Sequence, residues 1–196
     1  VDDNYAQLFA HNEPGPRFKP SEVAAIIAEQ GMKAETIANQ LRANIRAGLI
    51  QTREKIGKGT KNPHSSLSLS DVVVAKVLSI FNNDFEIFDQ QTLGFVVSAF
   101  YGWQDGDLTP ATERFPHPAF NALQETAKGK FWAFRLDVYR DASTGHRSYR
   151  TALFDMDHRP ERRFPDNAMP RGTISLNLQP LLLPLIEAGN RKILAN

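Results

Sequence analysis

Asn39, Gln40, Arg42 and Arg46, with Lys33 and Thr36 just before them, put carboxamide, hydroxyl and guanidinium groups into one short stretch of chain. Such groups match the edges of base pairs, because Arg can donate twice to guanine while Asn and Gln both donate to and accept from adenine. A second set, Arg53, Lys55, Lys58 and Lys61, is arranged around Gly57 and Gly59. Glycines let a backbone come close to a phosphate, and each lysine that neutralises one adds a salt-sensitive increment of affinity. These ten residues are the candidate DNA contacts. Other chemistry is thinner. Asp155-Met156-Asp157-His158 gathers two carboxylates and an imidazole, the raw material of a hard-cation or acid–base site. Asp is also a common turn residue, Pro160 follows, and no second cluster at ligand spacing completes the set. Gly57-Lys58-Gly59-Thr60 lacks both the spacing and the preceding apolar strand of a phosphate-binding loop. The absence of cysteine excludes thiolate metal sites, disulfides and cysteine nucleophiles. The expectation is a protein without enzymatic activity, cofactor or metal.

A base-reading set works only if one element presents it. Ile37, Leu41 and Ile45 recur every four residues, which predicts a helix over 33–47 ended by Gly48. Glu35, Asn39, Arg42 and Arg46 then share the opposite, polar face, with Thr36 and Gln40 beside them. Ahead of it, Ser21-Glu22 opens a shorter helix in which Val23, Ile26 and Ile27 form a buried stripe ending at Gly31. Two helices joined by a glycine turn make a helix-turn-helix, whose second helix fits a major groove. Residues 51–64 read as a basic hairpin or wing. Ser70 is expected to cap a third helix over 71–81, whose Val72, Val73, Val77, Leu78 and Phe81 close a small core.

The chain carries Lys19-Pro20-Ser21-Glu22-Val23-Ala24 at the first helix, Leu41-Arg42 ahead of Ala47-Gly48-Leu49-Ile50, then a basic glycine-containing wing, then Leu69-Ser70-Asp71-Val72 at the next helix. In this order the parts resemble the winged helix-turn-helix domain of the MerR-type transcription regulators. The resemblance covers residues 17–81. Between Gly31 and Gly48 the chain has about one helical turn more than the family pattern, and Ala43-Asn44 stands where an aromatic pair is usual. What it implies is a DNA-binding domain whose second helix reads double-stranded DNA.

The formal net charge is only +1, but it is unevenly spread. Residues 17–64 hold nine Lys/Arg against four Asp/Glu, residues 82–125 one against seven, and residues 128–163 nine against five. Two basic blocks thus flank an acidic one, a distribution that bears on partners. The acidic block is rich in apolar bulk: Phe85, Ile87, Phe88, Leu93, Phe95, Val96, Phe100, Tyr101 and Trp103, with Asp89 placed to cap a helix over 90–101. That bulk either fills the core or forms a homodimer contact. Residues 105–118, with Gly106, Pro110, Pro116 and Pro118, read as a linker or long loop. Alternation over 130–139, a turn at 141–146 and a return over 148–154 predict an antiparallel hairpin; a third strand over 173–178 leads into a helix over 180–188. Arg135, Arg140, Arg147 and Arg150 either make a second phosphate-contacting surface or pair with Asp137, Asp141 and Asp155.

The expected fold is α+β: a winged helix-turn-helix over 17–83, then a small α+β domain over 84–196 with an antiparallel sheet for dimerisation or for contact with another protein. The expected function is a sequence-specific transcription regulator of bacterial or phage type, homodimeric and cytoplasmic. A DNA-bending excision accessory factor is one alternative, and a ligand- or protein-interaction module without a DNA role is another. No membrane partner is expected, since the apolar run around Leu181 is broken by Pro180 and Pro184 and falls far short of the roughly 20 residues a span needs.

Overall fold

The computed structural model describes residues 5, 8–9, 15–29, 31–52, 55–56, 64–103 and 116–195. Helix α1 (Pro20–Ile27) begins with Pro at its first position, where the missing N–H costs nothing, and the Glu22 side chain accepts from the Lys19 amide at 2.7 Å. It buries Val23, Ala24 and Ile27. Helix α2 (Ala34–Arg46) buries Ile37 and Leu41, and Gly48, at φ 75°, takes the chain out of it in a left-handed conformation that suits glycine. A two-stranded antiparallel pair follows, β1 (Lys55–Ile56) with β2 (His64–Ser65). Just after it, Leu67 bridges back to Phe18 ahead of α1.

Helix α3 (Leu69–Asn83) is the hub of the core. Its cap is Ser68 and not Ser70: the Ser68 hydroxyl accepts from the Asp71 amide, and Asp71 returns a bond to the Ser68 amide at 2.7 Å. A Ser three residues ahead of an acidic side chain forms this reciprocal box, and Ser70 lies inside the first turn, fully buried. Helix α4 (Gln90–Tyr101) starts at Asp89, as expected, and ends at Gly102, where φ is 73°. Helix α5 (Pro118–Ala127) was not anticipated; the chain turns helical where the proline-rich stretch ends.

Strands β3 (Trp132–Asp141) and β4 (Arg147–Asp155) form the expected hairpin, and β5 (Ala168–Asn177), starting five residues earlier than expected, adds to the other side of β3 to give the order β4-β3-β5, all antiparallel. Helix α6 (Gln179–Leu194) runs beyond the expected end near residue 188, and its Gly189 is packed: a Cβ there would lie 3.0 Å from Leu8. Phe134 on the inner face of the sheet meets Phe81 of α3 and Phe100 of α4, with ring centroids 6.0 and 5.1 Å apart. One hydrophobic cluster runs from Phe18 and Val23 through Phe81 and Phe100 to Leu136 and Ile186, so the helices of the first half and the sheet of the second share a core. Among the described residues no helix is long and apolar enough to cross a membrane.

The β3–β4 turn is organised by Asp141. Its Oδ1 accepts from the amides of Ser143 (2.9 Å) and Thr144 (2.7 Å) and from both hydroxyls, and its Oδ2 accepts from Asn167. These bonds, the Ser143 hydroxyl first and the Thr144 amide next, hold the Asp141 carboxyl well below the usual carboxylate range. A depressed folded value means that the stabilisation is complete above the unfolded value, near pH 4, and is lost as pH falls below it toward the folded value. The amide resonances of Ser143 and Thr144 are therefore expected to stay in place at pH 4 and to move only on further acidification. In Asp141→Asn the acid-dependent movement should vanish.

Candidate nucleic-acid interface

Burial of Ile37 and Leu41 against α1 and α3 turns the other side of α2 to solvent. Thr36, Asn39, Arg42 and Arg46 are exposed and lie along that side, and Lys33, also exposed, precedes the helix as its N-cap residue. Two contacts order the stripe: Arg42 donates from Nη1 to Asn39 Oδ1 at 2.7 Å, and Arg46 donates from Nε to the Arg42 carbonyl at 3.3 Å. Gln40 differs from its neighbours. It is half-buried on the flank of the helix, and its Nε2 donates to Asn83 Oδ1 of α3 at 3.0 Å, so this carboxamide holds two helices together. The turn from α1 to α2 passes through Gly31 at φ 90°, and Lys76 of α3 closes the end of α1 by donating to the Ile27 carbonyl (3.1 Å) and pairing with Glu29 (2.5 Å).

Of the expected wing residues, Lys55 lies in β1, placed by its backbone; Arg53, Lys58 and Lys61 lie outside the described residues. The chain entering this hairpin is tied to the core: the Gln51 amide donates to the Tyr101 hydroxyl at 3.3 Å, and that hydroxyl donates to Asp71 Oδ1 at 2.6 Å. Nothing in local spacing announced this link, which joins residues thirty and fifty positions apart.

The aromatic block is mostly internal. Leu93, Val96, Phe100, Tyr101 and Trp103 are buried, Ile87 and Phe95 are half-buried, and only Phe85 and Phe88 of that set are exposed. The stretch therefore offers a two-fold partner much less apolar surface than its composition promised. The arginines of the second half divide. Arg135 takes the ion-pair reading: it is buried on the outer face of the sheet, 2.8 Å from Asp137, and donates to the Pro160 carbonyl at 3.3 Å. Asp137 also accepts from Thr173 at 2.7 Å and lies 3.6 Å from Arg162, while Phe164 packs edge-on against Tyr139. The segment over 159–164 thus covers a face that alternation alone assigned to solvent. Arg140, Arg147 and Arg150 have no carboxylate within ion-pair distance among the described residues, and Arg140 stands directly opposite Arg147 across β3 and β4.

Asp155, Asp157 and His158 do not converge on a site. Asp155 caps the short turn that contains the other two, accepting from the Asp157 amide at 2.9 Å and lying 3.3 Å from His158 Nδ1; the Asp157 amide holds its carboxyl below the usual range. Among the described residues no three such side chains gather closely enough to hold a metal ion. The chain matches no protein-family model, and no curated protein and no solved structure is significantly similar to it.

Proposed function

We propose that the chain is a sequence-reading DNA-binding protein of the winged helix-turn-helix kind, with α2 in the major groove and the β1–β2 hairpin along the adjacent backbone. The carrying observation is the solvent-facing stripe of Thr36, Asn39, Arg42 and Arg46 on a helix whose opposite side is locked into the core, with Lys33 exposed at its N-cap. The resemblance to MerR-type regulators and the bridge between Phe18 and Leu67, which draws the start of α1 to the end of the hairpin, support the same reading. A regulator's role follows from occupancy of the site and not from chemistry on it. Two copies on a two-fold axis remain part of the proposal, since one helix reads only a few base pairs, but their contact moves off the 85–103 stretch.

Fluorescence anisotropy with a random duplex at low salt, followed by selection from a random DNA pool, tests the reading. Binding with an enriched motif is the expected result, and no binding at low salt would overturn it. Changing Lys58 and Lys61 to Gln is expected to lower the slope of log Kobs against log salt by roughly 2, at about 0.9 per phosphate contact. An unchanged slope would remove the hairpin from the interface.

An interaction module without a DNA role is favoured by one observation. The outer face of the sheet carries a groove of about 360 Å³ lined by the apolar Phe131, Ala133, Phe154 and Met156 together with Asp157, Arg159, Ser175 and Asn177, and Phe131 and Met156 are half exposed. A protein that ignores DNA in the anisotropy experiment would shift attention to that groove.

A further inference from the structure

Strand β5 is an edge of the sheet, whose order is β4-β3-β5, and the register decides which of its backbone groups point outward. In an antiparallel ladder the facing pairs alternate: one pair exchanges N–H···O bonds, and the next turns its backbone groups away. The Leu178 amide donates to the Trp132 carbonyl at 2.9 Å, and Leu176 and Ile174 face Phe134 and Leu136, so the even-numbered residues here bond to β3. Thr173, Ser175 and Asn177 therefore turn their amides and carbonyls to the open side, where no strand, loop or side chain among the described residues takes them up. All three are exposed. Natural sheets guard such an edge with charge, proline or a bulge, because unpaired backbone invites another strand. In β5 every guard sits in the first half: Pro170 pairs with Tyr139 and Gly172 with Val138, which leaves Arg171, the one charged residue of the strand, as the extra residue of a bulge. Residues 173–177 have none. The other edge, β4, carries charge along its length at Arg147, Arg150 and Asp155.

We propose that residues 173–177 pair antiparallel with the same residues of a second copy of this chain, joining two three-stranded sheets into one. A strand paired with itself about a two-fold axis sets odd-numbered residues against odd ones, so the outward-facing groups of the two copies always meet in phase. With the axis at Ser175, that residue faces itself and Thr173 faces the partner's Asn177, and each facing pair can exchange two hydrogen bonds. The side chains agree with this register. Ile174 and Leu176, which pack on the core from the inner face yet stay only half-buried, come to lie opposite the partner's Leu176 and Ile174 and cover one another. No like charges oppose: residues 173–177 are uncharged, and Arg171 comes level with the partner's Gln179 and not with its own copy. A second copy thus matches the edge in backbone, apolar surface and charge together, whereas the same self-pairing of β4 would crowd its arginines. This pairing supplies the two-fold contact that the DNA reading calls for and rests on that reading for its purpose; its test contains no DNA, so either can fail alone.

Sedimentation equilibrium of the full chain is expected to give a dimer with a Kd of about 10 μM or tighter. Ser175→Pro removes an outward amide and none that bonds to β3, and Ser175→Lys sets like charges face to face at the axis; each should raise the Kd at least about tenfold. Because the chain has no cysteine, Ser175→Cys is a clean probe. Facing residues of this kind have Cα atoms about 5.5 Å apart, within reach of a disulfide, so mild oxidation should yield a covalent dimer. Gln91→Cys, exposed on α4, should not. A monomer at about 100 μM would overturn the proposal and leave this edge to a strand of another protein. A dimer whose Kd Ser175→Lys leaves unmoved, or one that cross-links no faster from position 175 than from position 91, would overturn it as well.

Discussion

Replacing Asp71 by Ala is expected to cost about 3–5 kcal/mol of folding stability, the upper range for a single substitution, read as a drop in the urea midpoint. Asp71 is fully buried, and its carboxylate accepts from the Ser68 amide (2.7 Å), the Ser68 hydroxyl (2.8 Å) and the Tyr101 hydroxyl (2.6 Å). Removing it undoes the capping box of α3, worth about 0.5–2 kcal/mol, and strands buried donors at about 1–3 kcal/mol each. It also releases Tyr101, whose ring stacks on Trp103 with centroids 4.6 Å apart and whose hydroxyl receives the Gln51 amide. Tyr101→Phe keeps the ring and loses only the hydroxyl, so about 1–3 kcal/mol is expected there. If D71A stayed within about 1 kcal/mol of the unsubstituted protein, a neutral hydrogen bond's worth, this network would not be what joins α3 to α4 and to the hairpin's root.

Elements whose signal is local are legible in the sequence. The four-residue recurrence of Ile37, Leu41 and Ile45 marks α2, Asp89 marks the start of α4, and alternation marks β3. Errors arose where tertiary packing overrode a local rule. The last helix, expected to end near Ala188, runs on to Leu194 through Gly189, where a Cβ would lie 3.0 Å from Leu8 and 3.4 Å from Leu69, a contact no local spacing reveals. Arg135 and Asp137 pair at 2.8 Å, one of the two readings the sequence left open, but the later segment that buries the pair has no local signal. The cap of α3 is a different case. Ser68 and Asp71 stand at the capping-box spacing in plain sight, and Ser70 was the nearer but wrong choice. The polar stripe of α2 was legible as a set, but Gln40 was not separable from it, because its partner Asn83 lies 43 residues on.

Arg42 is expected to be the most discriminating residue of the interface, and the substitution that shows it is Arg42→Lys rather than a truncation. Its guanidinium has five donors, of which one is given to Asn39 Oδ1 at 2.7 Å. That bond fixes the direction of the side chain and leaves the other edge for two parallel bonds to guanine, a contact worth about 1–3 kcal/mol of discrimination, or roughly 5- to 150-fold in affinity. Lys keeps the charge and the salt dependence but cannot make the forked contact. Against the selected site, R42K should therefore bind within that range more weakly, while its affinity for random duplex barely moves. Asn39→Ala should reproduce part of the loss by freeing the guanidinium. In the double variant the two losses should fall short of additivity by about 0.5 kcal/mol or more, as coupled neighbours do. An equal loss on both duplexes would make Arg42 a phosphate contact, and no loss on either would mean that α2 is not the reading helix.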